Sequence, residues 1–272
     1  MRYIQSFSTS SDVQTALDNT SLGKPYVAYI ESDGDIDWNT KEKTDYSKMY
    51  LTFNIISGGT INWKAYNTSY ITTISYSKDS GATWTDITAT TAGTSFNVSA
   101  GDNVMIKGDN DTWGTFWNYN TFSGSTAVFE VEGNIMSLIY GDDFATATTL
   151  TAFAFYGLFQ YCTGLTSAEK LVLPATTSDN CYSYMFQGCT SLTTAPELPA
   201  TTLAYMCYSS MFEGCTSLNY IKCLATDISA TYCTGYWVNG VASTGTFVKN
   251  PNMSNWTSGL NGIPTNWTVQ DA

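Results

Sequence analysis

Between Tyr50 and Val131 the chain alternates apolar and polar residues in short runs: YLTFNII, TINWKAY, ITTISYS, TWTDIT, SFNVS, NVMIKG and AVFEVEG. Clusters of Gly, Asn, Asp and Ser separate them. A period of two sends successive side chains to opposite faces of a strand. Runs of this kind at roughly 8- to 12-residue spacing predict an Ig-like β-sandwich over residues 46–135. Upstream, KPYVAYIE also alternates, SSDVQTALDN suits a short helix capped by Ser10 or Ser11, and Asp33 with Gly34 supplies a hairpin turn. Residues 1–45 therefore read as a small leading module, too short to bury much surface alone.

After Gly141 short-range alternation gives way to recurrence over a longer distance. LFQYCTGL (158–165), MFQGCTSL (185–192) and MFEGCTSL (211–218) follow one another at offsets of 27 and 26 residues. The text between them repeats as well, as LPATTSDNCYSYMF, LPATTLAYMCYSSMF and LATDISATYCTGYWV. Leu173, Leu198 and Leu224 then correspond, as do Cys181, Cys207 and Cys233. A period of about 20–29 residues with fixed leucines predicts leucine-rich-repeat coils, each covering the apolar face of the next. The expected architecture is mainly β: the leading module, the sandwich, a short solenoid over 136–236 and a cap over 237–272. Phe247, Trp256 and Trp267 are the cap's covering residues, and the sandwich or FATATTLTAFAFYGLF closes the opposite end.

All seven cysteines fall between 162 and 233. Equivalent residues of stacked coils lie about 4.8 Å apart, beyond the roughly 3.5–4.5 Å between Cβ atoms of a disulfide. Zinc is disfavoured too, because the main spacing is eight residues and the chain has no histidine. Cys189 and Cys215 are thus expected as small core fillers beneath Phe186 and Phe212, with Cys223 outside the repeat.

Charge narrows the partners. Lys and Arg number 11 against 23 Asp and Glu, a net charge of -12, with no basic stretch to neutralise phosphates. Nucleic acid is not an expected partner, nor is membrane insertion, since no 18-residue apolar run exists. The opening MRYIQSFSTSSDVQTALDN also lacks the apolar core of a signal peptide.

Without histidine the Ser/His and Cys/His nucleophile systems are absent. No carboxylate pair can be placed at glycosidase spacing, and Asp142 and Asp143 read as N-terminal caps of a short helix-like segment. No enzyme, cofactor or metal site is expected. Asp33, Asp35 and Asp37 resemble part of a calcium loop but lack its closing glutamate, and they suit a solvated hairpin tip better. SKDSGATW (77–84) matches the Asp-box pattern S-x-D-x-G-x-T-W, a stable hairpin turn that supplies no active site by itself. The densest aromatic cluster is DNDTWGTFWNYNTF (110–122). Its Trp113, Trp117 and Tyr119 are the candidate ligand-binding residues, because rings beside amides suit sugars, although sandwich cores bury such rings too.

Three stretches carry a resemblance: MFQGCTSLTTAPELPATTLAYMCY, GNIMSLIYGDDFATATTLT, and YWVNGVASTGTFVKN with GIPTNWTV. Over roughly residues 50–272 they resemble the BspA-like leucine-rich-repeat surface proteins of gut Bacteroidales. That resemblance implies attachment or display and no catalytic residues. KPYVAYIESDGDIDWN is similar to leading modules in virion proteins of phages that infect those bacteria, including crAss-like phages. Together the two imply a head or tail fibre protein at the virion surface. Its N-terminal module would hold capsid or tail proteins, the rest would meet a host-surface glycan or protein, and a homotrimer is expected, as in most fibres. The alternative is a bacterial cell-surface adhesin.

Overall fold

The computed structural model describes residues 29–30, 36–37, 44–110 and 114–272, and the chain divides into two compact units, 1–45 and 46–272. In the first unit, β1 (Tyr29–Ile30) and β2 (Ile36–Asp37) pair antiparallel. The helix expected after Ser10 or Ser11 lies outside the described residues, as do Asp33 and Asp35.

In the second unit every alternating run becomes a strand. These are β3 (Leu51–Ser57), β4 (Gly59–Ala65), β5 (Thr73–Ser77), β6 (Thr85–Thr88), β7 (Thr94–Val98), β8 (Asn103–Lys107) and β11 (Val128–Asn134). A hairpin of β9 (Gly114–Thr115) and β10 (Asn118–Thr121) intervenes. One sheet runs β7-β4-β10-β9; the other runs β6-β5-β8-β3-β11 and continues into β12 (Leu165–Val172). Alternation buries Leu51, Phe53 and Ile55 from β3, each worth about 1.5–3 kcal/mol of transfer free energy. Phe122 ties the sheets together, with its ring centre 4.9 Å from Phe53 and 4.7 Å from Trp63.

The Asp-box forms the β5–β6 turn. Asp79 accepts from Ser77 Oγ at 2.7 Å, Thr83 N at 2.9 Å and Thr83 Oγ1 at 2.6 Å. These bonds, chiefly those from Thr83, hold its carboxyl at about 2. Asp142 is not the cap that the sequence suggests. After β11 come α1 (Ser137–Tyr140) and a 3-10 turn, Gly141–Thr146, that has no side-chain cap. Asp142 instead accepts from Tyr50 Oη at 2.8 Å and Lys107 Nζ at 2.7 Å, anchoring the turn to the sheet.

From Phe153 onward the chain winds four times through one nine-residue ribbon of tight turns, at 153–161, 180–188, 206–214 and 232–240. The first, fifth and ninth residues of each ribbon are left-handed, with φ between 51° and 76°. In the first three ribbons N–H groups take alternating partners. Those of Tyr156, Leu158 and Gln160 close turns onto Phe153, Phe155 and Gly157, while those of Phe155, Gly157 and Phe159 donate to Cys181, Ser183 and Met185 in the next winding. The same alternation bonds Phe186 to Met211 and Phe212 to Trp237. Left-handed backbone costs roughly 1–2 kcal/mol at each non-glycine residue, and the bonds between windings offset it.

Each winding returns along a short extended edge. Ser167, Thr194 and Tyr220 pair in parallel, and the ladder continues through β13 (Tyr220–Cys223), β14 (Thr246–Lys249) and β15 (Thr268–Asp271). The register corrects one alignment. Leu198 lies opposite Cys223, which is fully buried, whereas Leu224 is half-exposed. The alternation of β13 turns Ile221 and Cys223 inward and Leu224 outward, so Cys223 belongs to the repeat.

One column of rings joins these parts: Phe122–Phe159 at 5.6 Å, Phe159–Phe186 at 5.5 Å, Phe186–Phe212 at 5.6 Å, Phe212–Trp237 at 6.3 Å and Trp237–Trp256 at 5.5 Å. At its far end Trp237 Nε1 donates to Gly262 O and Trp267 Nε1 to Ala242 O, both at 2.8 Å. At its near end β11 pairs in parallel with β12, so the sandwich edge forms the layer below the first winding. Gly164 shows how close that fit is, because a Cβ there would stand 2.1 Å from Ala127 O. The seven cysteines are free and buried. Cys189 and Cys215 donate their thiols at 3.0 Å to Phe159 O and Phe186 O of the preceding winding, so they fill space and also link layers. Burial pushes Cys181, Cys215 and Cys223 up to about 12. Among the described residues no helix is long and apolar enough to cross a membrane.

Candidate binding face

The repeat places a column of polar side chains on the outside of the ribbons. Gln160, Gln187, Glu213 and Asn239 occupy equivalent positions, one per winding, and they are joined by hydrogen bonds. Gln160 Nε2 donates to Gln187 Oε1. Gln187 Nε2 donates to Glu213 Oε2 at 2.8 Å, and Asn239 Nδ2 reaches Glu213 Oε1 at 3.0 Å. Tyr119 Oη begins the row by donating to Gln160 Oε1. The donations thus converge on one carboxylate, Glu213, supplied with protons from both sides, which polarises the amides leading to it. Each amide NH2 keeps a second hydrogen and each amide oxygen a second lone pair. Those remaining valences are what the row offers to a ligand.

Aromatic rings border it. Trp117 sits at the tip of the β9–β10 hairpin with φ 65° and 64% of its surface exposed. Tyr66 lies 6.3 Å from Trp117 and stacks on Tyr119 at 4.9 Å, and Tyr119 meets Tyr156 edge-on at 5.0 Å. Tyr156 continues to Tyr184 at 5.3 Å. Farther along, Tyr161 and Tyr236 project from the first and fourth ribbons, 58% and 56% exposed. Tyr161 covers Gly188, where a Cβ would stand 2.4 Å from its ring. Gly188 therefore lacks both the space and the backbone (φ 72°) for a side chain. At Gly214 a Cβ would meet nothing nearer than 3.7 Å, and only the left-handed backbone (φ 74°) favours glycine; the first ribbon carries Tyr161 at this position.

Of the candidate residues read from the sequence, Trp117 is an exposed ring at one end of this face. Tyr119 is only 3% exposed: its ring lies over Gly157 between Tyr66 and Tyr156, and its hydroxyl starts the polar row. Burial first, then neighbouring tyrosines, pushes the hydroxyls of Tyr119 and Tyr156 up, so both stay protonated hydrogen-bond donors. Trp113 lies outside the described residues. The polar row itself was legible: the third letters of LFQYCTGL, MFQGCTSL and MFEGCTSL are Gln160, Gln187 and Glu213. Tyr66 had no such signal, because it meets the face only through the fold.

Chemically, the row offers amide donors and acceptors and one carboxylate. Glu213 is the single carboxylate in the row, and among the described residues no group of three His, Cys, Asp or Glu could hold a metal ion. Comparison with known proteins adds nothing to this geometry: no family model matches the chain, and neither a curated protein nor a solved structure matches it.

Proposed function

We propose that this chain is a non-enzymatic virion-surface protein, part of a head or tail fibre, that attaches the particle to its host. The observation that carries the reading is the row of hydrogen-bonded amides bordered by exposed aromatic rings, built by a repeat whose cysteines are locked in the core. A face that combines free hydrogen-bonding valences with rigid rings suits recognition. In this reading the ribbons and their return edges form a short leucine-rich-repeat solenoid on an Ig-like sandwich. The module of residues 1–45 holds capsid or tail proteins, and three chains assemble. The resemblance to BspA-like surface proteins supports both the solenoid and the attachment role, and it also favours the second reading, a bacterial surface adhesin.

The test is sedimentation of the purified chain with intact gut Bacteroidales cells, together with its mass in solution. The chain is expected to co-sediment and to show three times its mass of 29.7 kDa. Failure to bind any such strain would sink the attachment role, and a monomer would sink the fibre assembly.

A further inference from the structure

The exposed surface of the four ribbons specifies more than attachment. Gln160, Gln187, Glu213 and Asn239 present hydrogen-bonding groups at one fixed interval, and the windings that carry them advance by about 4.8 Å each, as parallel strands do. The row therefore spans about 14 Å, three such intervals. A ligand matched to it must be extended, must repeat its polar groups at a similar pitch, and must offer flat apolar faces to Tyr161 and Tyr236. Hydroxyls both donate and accept, so a hydroxyl-rich chain satisfies amide and carboxylate alike.

Charge selects among such chains. The four ribbons contain Glu213 and no Lys or Arg, and the whole chain carries a net charge of -12. Anionic polysaccharides, phosphorylated lipids and nucleic acids would meet repulsion along the row and find no cation to pair with. A folded protein partner fits poorly as well, because the row's charged and half-buried polar side chains lie where an interface core would be apolar.

We infer that this row, together with the exposed rings of Tyr161 next to Gln160 in the first ribbon and of Tyr236 in the fourth, is the binding site of a neutral, extended glycan lying along the stack of windings. The inference rests on the attachment reading above and deepens it by naming the class of ligand. Sugar C–H faces stack on Tyr161 and Tyr236. Hydroxyls take the second hydrogens of Gln160 and Gln187, and Glu213 accepts from the chain at its centre. Trp117 and Tyr66 extend the platform beyond the first winding, so a longer chain gains contacts there and binds more tightly.

Titration calorimetry of the full chain tests this with four neutral probes, cellohexaose, xylohexaose, mannohexaose and maltohexaose, and polygalacturonate as the anionic comparison. At least one hexasaccharide is expected to bind, and its affinity is expected to fall tenfold or more in Gln187→Ala and in Tyr236→Ala. Tyr236 is exposed, so the second variant keeps the fold, as circular dichroism would verify. Silence from all four probes, tighter binding of polygalacturonate, or unchanged affinity in both folded variants would overturn the inference. Host cells separate this failure from failure of the attachment reading. Periodate, which cleaves sugar diols, is expected to abolish sedimentation with cells. Loss of sedimentation on protease treatment alone would refute the glycan while leaving attachment in place, and no sedimentation with untreated cells would refute attachment itself.

Discussion

In the sandwich Leu51 pairs with Ile106 and Phe53 with Val131, whereas in the stack Phe186 bonds to Met211 and Phe212 to Trp237. The first region joins strands that lie far apart in the chain. The second joins each winding to the one that follows. Every position of the sandwich thus has its own neighbours, and its residues need share only the alternation that sends them in or out. A position in the stack has the same neighbours one winding later, and equal surroundings select equal residues. The two regions nonetheless share one core, because Phe159 of the first winding packs on Phe53 and Phe122. The lesson is that the sandwich supplies the end-cover that a stack of windings needs.

Substitutions can break this comparison. The largest effect is expected from Phe186→Ala, which opens the ring column at its middle. Loss of a buried Phe typically costs about 3–5 kcal/mol, read as a fall in the urea midpoint of unfolding. If the core is shared, strands of the sandwich lose stability along with the ribbons.

A sharper test compares one repeat position in two settings. At the junction, Gly164→Ala drives a methyl group into Ala127 O and is expected to cost about 3 kcal/mol, near the upper range for single changes. Its repeat equivalent, Ser191→Ala, lies within the stack and is expected to stay within about 0.5 kcal/mol of the parent. Equal costs would show that the junction is looser than the structure has it.

The thiols give a smaller, pH-dependent effect. Burial raises Cys181, Cys215 and Cys223 from an ordinary value of 9.0 to about 12, so the folded chain keeps protons that the unfolded chain releases. Their contribution is fully present below pH 9 and is lost as pH rises from there toward 12. Thermal melting from pH 8 to 11 should show that decline, and the native protein should resist alkylation by iodoacetamide at pH 8.

The smallest effect belongs to the Asp-box. Its carboxyl is held at about 2 rather than 3.8, so its contribution is present above pH 4 and disappears as pH falls through 2. Asp79→Asn should speed amide exchange at Thr83, whose N–H it receives, without altering the ribbons.

The same contrast explains what the sequence revealed. The strands β3 to β8 and β11 were legible because a half-buried strand must alternate. The β9–β10 hairpin was not: Asn120 is fully buried beside Tyr119, and the exposed Trp117 makes the turn, which inverts the usual placement of polar and apolar residues. The ribbons obey neither the strand nor the helix period, and their left-handed positions include Phe153, Tyr184, Met206 and Tyr232, residues that rarely mark such backbone. Only the recurrence near 26 residues betrayed them. The polar row was visible in that recurrence, while the rings beside it converge through tertiary folding.

The most direct measurement is native-state hydrogen exchange resolved to single amides across residues 46–272. The amides of Phe53 in the sandwich and of Phe186 and Phe212 in the stack should exchange through one opening of the same free energy, since one ring column supports all three. A ribbon set that opens at a free energy lower by about 2 kcal/mol or more, while β3 stays protected, would mean two independent cores and would contradict the account.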